Sequence, residues 1–295
     1  AGIAYSYQVK DSKGCVSTPA TITLSQPTVL DATATATAFS CSATNTKQSA
    51  TVTIAVPTTG TSPYEYSFNG GGYGATRVLS VNDNGSDQIV TYSVRDAKGC
   101  TDGGSVTLLK LNPPTALAFA NAAITCTATT TTVTVTATNG VGILQYETIT
   151  PSPIIRGQQT SNSFANLTPG TYLFKVTDAN GCYYTDTYEI KAVVPIAISG
   201  NVDTNVKCKG DSTGKATFAV SGNATVGAYT FALTAGTLGT GSLTKVGNTL
   251  TLAGVKAGSY TVRVTDTATG CFKDATVNVT EPAAALSISN AVATN

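Results

Sequence analysis

Histidine, tryptophan and methionine are missing altogether from the 295 residues, and charge is scarce: 17 Lys and Arg stand against 16 Asp and Glu. Without an imidazole the chain lacks the most usual general base, triad member and zinc ligand. With 11% charged residues and a net charge of +1, no basic or acidic face is large enough to make nucleic acid or an anionic membrane the main partner. No run of about 18 apolar residues occurs, which removes a transmembrane helix. No basic-then-apolar stretch opens the chain, and it contains no start residue. The sequence therefore reads as an internal or processed piece, with any signal peptide outside it.

What is present is β-branched and punctuated by glycine. Thr is the commonest residue, followed by Ala, with many Val and 28 Gly, a composition that favours strands over helices. One landmark recurs four times: DSKGC ending at Cys15, DAKGC at Cys100, DANGC at Cys182 and DTATGC at Cys271, spaced by 85, 82 and 89 residues. A second cysteine set, Cys41, Cys126 and Cys208, is spaced by 85 and 82, and the two sets account for all 7 cysteines. Such in-phase recurrence marks an internal repeat.

Each landmark follows an alternating strand, for example Tyr172, Phe174, Val176 and Tyr260, Val262, Val264. In the first two copies the corresponding residues are Tyr5, Tyr7, Val9 and Val90, Tyr92, Val94. A period of two marks a strand with one face on a core. Gly170 and Gly258 sit two positions ahead of Tyr172 and Tyr260, as in the tyrosine corner of immunoglobulin-like sandwiches. Earlier strands carry Val52, Ile54, Val56; Val133, Val135, Ala137; and Ala216, Phe218, Val220. Following ones carry Tyr64, Tyr66, Phe68; Leu144, Tyr146, Thr148; and Tyr229, Phe231, Leu233. The pattern predicts an all-β fold of tandem immunoglobulin-like β-sandwich repeats stacked end to end.

The closing prolines place the cuts. Residues 1–27 are the last strands of a truncated repeat, residues 28–112, 113–195 and 196–282 are three full repeats, and residues 283–295 open a further one. Short Pro-containing linkers leave little freedom, so a stiff rod is expected.

Cysteines in register in small, weakly hydrophobic domains point to disulfides and an oxidising, extracellular setting. No CxxC pair exists for a metal and no imidazole for a cysteine nucleophile. Cys15, Cys100 and Cys182 each stand 26 residues before Cys41, Cys126 and Cys208. Extended, such a stretch spans about 85 Å, far beyond disulfide reach. Pairing within a repeat, Cys41 with Cys100 for example, joins positions five chain passes apart, at opposite ends of an alternating sandwich. Strand parity instead sets the first-loop cysteine of one repeat against the last-turn cysteine of the next. That predicts Cys41–Cys182 and Cys126–Cys271, and leaves Cys15, Cys100 and Cys208 with partners outside the segment. The within-repeat scheme remains the alternative.

The runs GTYLFKVTDANGC at 170–182, AGSYTVRVTDTATGC at 257–271 and CKGDSTGKATF at 208–218, with the closing Pro, resemble the SprB-repeat family of Bacteroidetes surface proteins. The likeness covers essentially the whole chain in phase. Repeat one departs from it, with Val90 in place of the Tyr. The resemblance implies a very large gliding-motility adhesin exported by type IX secretion and carried on the cell surface. It also makes Ser212 and Thr267, in Asp-Ser-Thr and Asp-Thr-Ala, candidates for the short O-glycosylation signal of that group.

Other sites have plainer readings. Asp83, Asn84 and Asp87 in NDNGSD offer hard oxygen ligands for calcium, but the loop lacks a closing Glu and a turn is needed there. In PYEYSFNGGGYG, Tyr64, Tyr66 and Phe68 alternate as core, leaving Tyr73 as the exposed ring. No catalytic site, cofactor or metal is expected. The partners expected are adjacent repeats of the same chain, with external surfaces or polysaccharides met by other parts of the protein. A shaft of a cell-surface adhesin filament is the leading reading. A spacer array of a secreted multidomain enzyme is the alternative.

Overall fold

The computed structural model describes residues 2–151, 156–223 and 225–287. Among them every regular element is a β-strand, and neighbouring strands pair antiparallel. The local cause is legible in Thr131–Thr138, where Val133 and Val135 point inward and the threonines at 132, 134 and 136 face solvent. Branched side chains alternating in this way suit a pleated surface with one dry face. Gly214–Ser221 repeats the device with Ala216, Phe218 and Val220, and Gly258–Asp266 with Tyr260, Val262 and Val264.

Three tandem immunoglobulin-like sandwiches result. The third has one sheet in the order Ala197–Thr204, Gly214–Ser221, Thr249–Val255, Ser242–Val246. Its other sheet runs Tyr229–Ala235, Gly258–Asp266, Phe272–Val279. Phe218, Leu250 and Leu252 of the first sheet close over Tyr260, Val262 and Val277 of the second. The first sandwich sets Ala34–Ala36, Ala50–Ile54 and Val78–Val81 against Glu65–Phe68, Gln88–Arg95 and Thr101–Leu108. The middle repeat has sheets Ala116–Asn121, Thr131–Thr138, Ser163–Leu167 and Arg156–Gln159, Gln145–Thr150, Gly170–Thr177, Tyr183–Ile190.

Both tyrosine corners form. The Tyr172 hydroxyl donates to the Thr168 carbonyl, and that of Tyr260 to the Lys256 carbonyl, each at 2.9 Å. Both rings are buried, so the bond satisfies a hydroxyl that would otherwise be stranded in the core. In repeat one, Val90 fills the same place without a hydroxyl to satisfy.

Four expected core positions behave differently. Tyr5, Tyr7 and Val9 are exposed: among the described residues the hairpin Ile3–Tyr7 with Ala20–Leu24 is a two-stranded sheet that pairs with no further strand. Val56 is exposed because its strand, Ala50–Ile54, has already ended.

Compactness divides the chain in another way than the repeat phase does. One unit comprises residues 1–117, 137–146 and 175–185, and the other residues 118–136, 147–174 and 186–295. The division falls inside the middle repeat, and each unit encloses one disulfide.

Candidate functional site: the disulfide joints

The Asp-to-Cys landmark is a carboxylate-capped turn. Asp178 Oδ1 accepts the N–H groups of Asn180 and Cys182 at 2.9 and 3.0 Å. Asp96 Oδ1 does the same for Lys98 and Cys100, both at 2.9 Å, and Asp11 Oδ1 for Lys13 and Cys15 at 2.9 and 2.8 Å. The glycine before each cysteine has a positive φ, between 67° and 89°, a backbone state that side chains disfavour. The motif therefore needs Asp to bond its own turn, Gly to reverse the chain, and Cys at a fixed position after them. Desolvation opposes ionisation of Asp96, but the N–H groups of Thr61, Cys100 and Lys98 outweigh it, and its carboxyl lies below the ordinary carboxylate range.

In the first unit this turn carries Cys182 onto the loop of Cys41, and the two are bridged with Cα atoms 4.8 Å apart, across 141 residues of sequence. The Cys182 side is fully buried and the Cys41 side partly open. The Cys41 N–H donates to the Asn180 carbonyl at 2.9 Å. Asn45 completes the joint: its Nδ2 donates to the Tyr183 carbonyl and its Oδ1 accepts the Tyr183 N–H, each at 2.9 Å. This side chain imitates one rung of a β-ladder across the joint. Its φ of 60° is a left-handed state that Asn tolerates well. Gly181 packs here too, since a Cβ on it would stand 3.0 Å from the Cys41 carbonyl oxygen.

The second unit repeats the core of that arrangement. Cys126 is bridged to Cys271 across 145 residues, with Cα atoms 5.1 Å apart. The Cys126 N–H donates to the Thr269 carbonyl at 3.2 Å. In both joints the loop cysteine thus donates to the residue two before its bridged partner. The asparagine clamp belongs to the first joint alone among the described residues.

The structure thus brings together the cysteine pairs that strand parity selects, Cys41 with Cys182 and Cys126 with Cys271. Cys15, Cys100 and Cys208 carry exposed free thiols. The remaining candidates have local partners. Asp83 accepts Lys47 Nζ at 2.7 Å, and that contact, against some desolvation and with help from the Gly85 N–H, holds its carboxyl below the usual range. Asn84 and Asp87 accept the N–H groups of Ser86 and Lys110 at 2.9 Å each. The loop at 82–87 thus spends its oxygens on its own turn and a lysine. Among the described residues no group of three or more metal-ligating side chains converges. Tyr73 is half-buried rather than exposed. The Arg95 guanidinium covers its ring at 4.4 Å and Ser93 meets its hydroxyl at 2.8 Å, so it offers no open platform. Thr267 is exposed and its hydroxyl donates to the Ala228 carbonyl at 3.1 Å, while Ser212 is partly covered.

Sequence reasoning missed Asn45. Its signal was faint: one Asn in a threonine-rich loop, recognisable only by a turn needing a positive φ. It also missed the ribbon Ser40–Cys41 with Lys47–Gln48 that presents it.

No protein-family model and no curated protein matches the chain. Among solved structures, it is similar to protocadherin gamma-B3 cadherin repeats 1–4, at 12% identity and TM-score 0.32, covering 96% of this chain and 83% of that one. The eight amino-terminal Ig domains of Down syndrome cell adhesion molecule match at 14% identity and TM-score 0.35, covering 94% and 46%. Invasin, a bacterial integrin-binding protein, matches at 14% and 0.30, covering 85% and 60%. Likeness at these levels carries no argument about function.

Proposed function

We propose that this chain is a structural segment of a cell-surface adhesin filament, one that transmits load and sets reach and carries out no chemistry of its own. The observation that carries the reading is the recurrence of one covalent joint, from first loop to last turn, in successive repeats. A bridge inside a domain stabilises that domain, whereas a bridge from one repeat to the next also restrains the hinge between them. Two such bridges overlap in sequence, so tension on the chain ends is carried by sulfur as well as by strand pairing. Disulfides of this kind persist outside the reducing cytosol, which supports an extracellular address. The resemblance of the landmark runs to gliding-motility surface repeats supports the finer reading: export by type IX secretion, and attachment and gliding as the task of the whole filament. Other parts of the protein would then meet surfaces or polysaccharides.

Antibodies raised against the segment test this on intact source cells. Labelling along surface filaments is expected, and beads coated with the antibody should be carried along moving cells. Antigen confined to the cytosol would overturn the surface reading, and labelled but stationary beads on gliding cells would overturn the motility part alone.

A further inference from the structure

The two closed joints share a two-point contact, and each of the three free cysteines stands at one half of it. On the loop side the elements are a thiol and the cysteine's own N–H. On the turn side they are a thiol and the carbonyl two residues earlier. Cys41 with Asn180 and Cys182, and Cys126 with Thr269 and Cys271, show both elements engaged.

Cys208 holds the loop position in the third repeat. Its thiol is free and exposed, and among the described residues its N–H has no acceptor. The loop is nonetheless fixed from behind: Lys209 Nζ donates to the Ala283 carbonyl at 2.8 Å and the Gly210 N–H to Glu281 at 2.8 Å. Cys15 and Cys100 hold the turn position. Their turns are built on Asp11 and Asp96 with the bonds that shape the engaged turn at Asp178. The carbonyls of Lys13 and Lys98, which match those of Asn180 and Thr269, accept no hydrogen bond among the described residues.

We infer that these are complementary open half-joints, and that a second copy of this chain can be joined covalently to the first through them. The loop Cys208 of one copy would bridge to a turn cysteine, Cys15 or Cys100, of the other. The reaction is thiol–disulfide exchange with a low-molecular-weight disulfide. One protein thiolate attacks it and releases one small thiol, and the second protein thiolate then displaces the other, so two protein thiols are oxidised and one small disulfide is reduced. The selectivity comes from the backbone. A loop meeting a turn pairs a free donor with a free acceptor, whereas two loops present donor to donor and two turns acceptor to acceptor. Of the six pairings open to three thiols, only Cys208–Cys15 and Cys208–Cys100 satisfy both points. The inference concerns the joint surface, and it stands or falls apart from what the filament touches.

The test is to incubate the full chain in a buffer of reduced and oxidised glutathione, block the remaining thiols, and map intermolecular disulfide peptides by mass spectrometry. Bridges from Cys208 to Cys15 or Cys100 are expected to exceed all homotypic and turn-to-turn bridges by about fivefold or more, the bias that one added hydrogen bond gives. Cys208→Ser, an exposed position outside both bridges, should leave the melting curve unchanged and abolish those species. Cys208–Cys208 or Cys15–Cys100 bridges in equal amount, or no covalent dimer under conditions that keep Cys41–Cys182 intact, would overturn the inference and leave the filament reading untouched.

Discussion

At the level of single residues, two side chains do work that their type alone does not announce. Asn45 bonds both the N–H and the carbonyl of Tyr183. Asn45→Ala removes both contacts and is expected to cost about 1–3 kcal/mol, seen as a lower denaturation midpoint and as faster hydrogen exchange at the Tyr183 amide. An unchanged exchange rate there would contradict the clamp. Asp96 is the second case. Its carboxyl is held below the ordinary range by the N–H groups of Thr61, Cys100 and Lys98, despite burial. A depressed folded-state pKa contributes stability above the unfolded value of about 4 and loses it as pH falls through the folded value. Asp96→Asn should therefore be less stable at neutral pH, with a stability difference from the parent that shrinks towards pH 2–3. A difference that does not change with pH would show that the ionised form is not what the turn uses.

The strands and turns were legible in the sequence where their cause is local. Val133 and Val135 alternate with exposed threonines because a pleat alternates, and the Asp-x-x-Gly-Cys turn bonds within its own few residues. The tyrosine corner was legible too, from Gly170 and Tyr172 alone. It should be testable as a unit: Tyr172→Phe and Tyr260→Phe each remove the hydroxyl that donates to the Thr168 or Lys256 carbonyl, for a loss of about 1 kcal/mol. Losses near zero in both would show that solvent replaces the hydroxyl. By contrast Phe218→Ala, opening a void between Leu250, Leu252 and Tyr260, should cost about 3–5 kcal/mol. What the sequence could not convey was non-local. Nothing in the alternation of Tyr5, Tyr7 and Val9 says whether they are covered, since the strand pattern records the face a strand offers and not whether anything lies on it. The Asn45 clamp was hidden for the same reason, because its partner lies 138 residues away.

At the level of the whole molecule, two bridges join successive repeats. Each closes a span of more than a hundred residues, which in the chain-entropy picture stabilises by about 5 kcal/mol. Because the two spans overlap, each bridge closes a shorter effective loop while the other is intact, so opening the second after the first should cost slightly more than the first did. The double Cys→Ser variant at Cys41 and Cys126 is expected to lose at least the sum of the two single losses on denaturation, and a clearly smaller loss would contradict the overlap. Pairing itself is what separates this architecture from a string of separately stapled domains. The most direct measurement is therefore peptide mapping of the unreduced chain, digested at low pH to prevent exchange. Cys41–Cys182 and Cys126–Cys271 peptides are expected, with Cys15, Cys100 and Cys208 recovered as free thiols. Recovery of Cys41–Cys100 or Cys126–Cys182 peptides in their place would contradict this pairing.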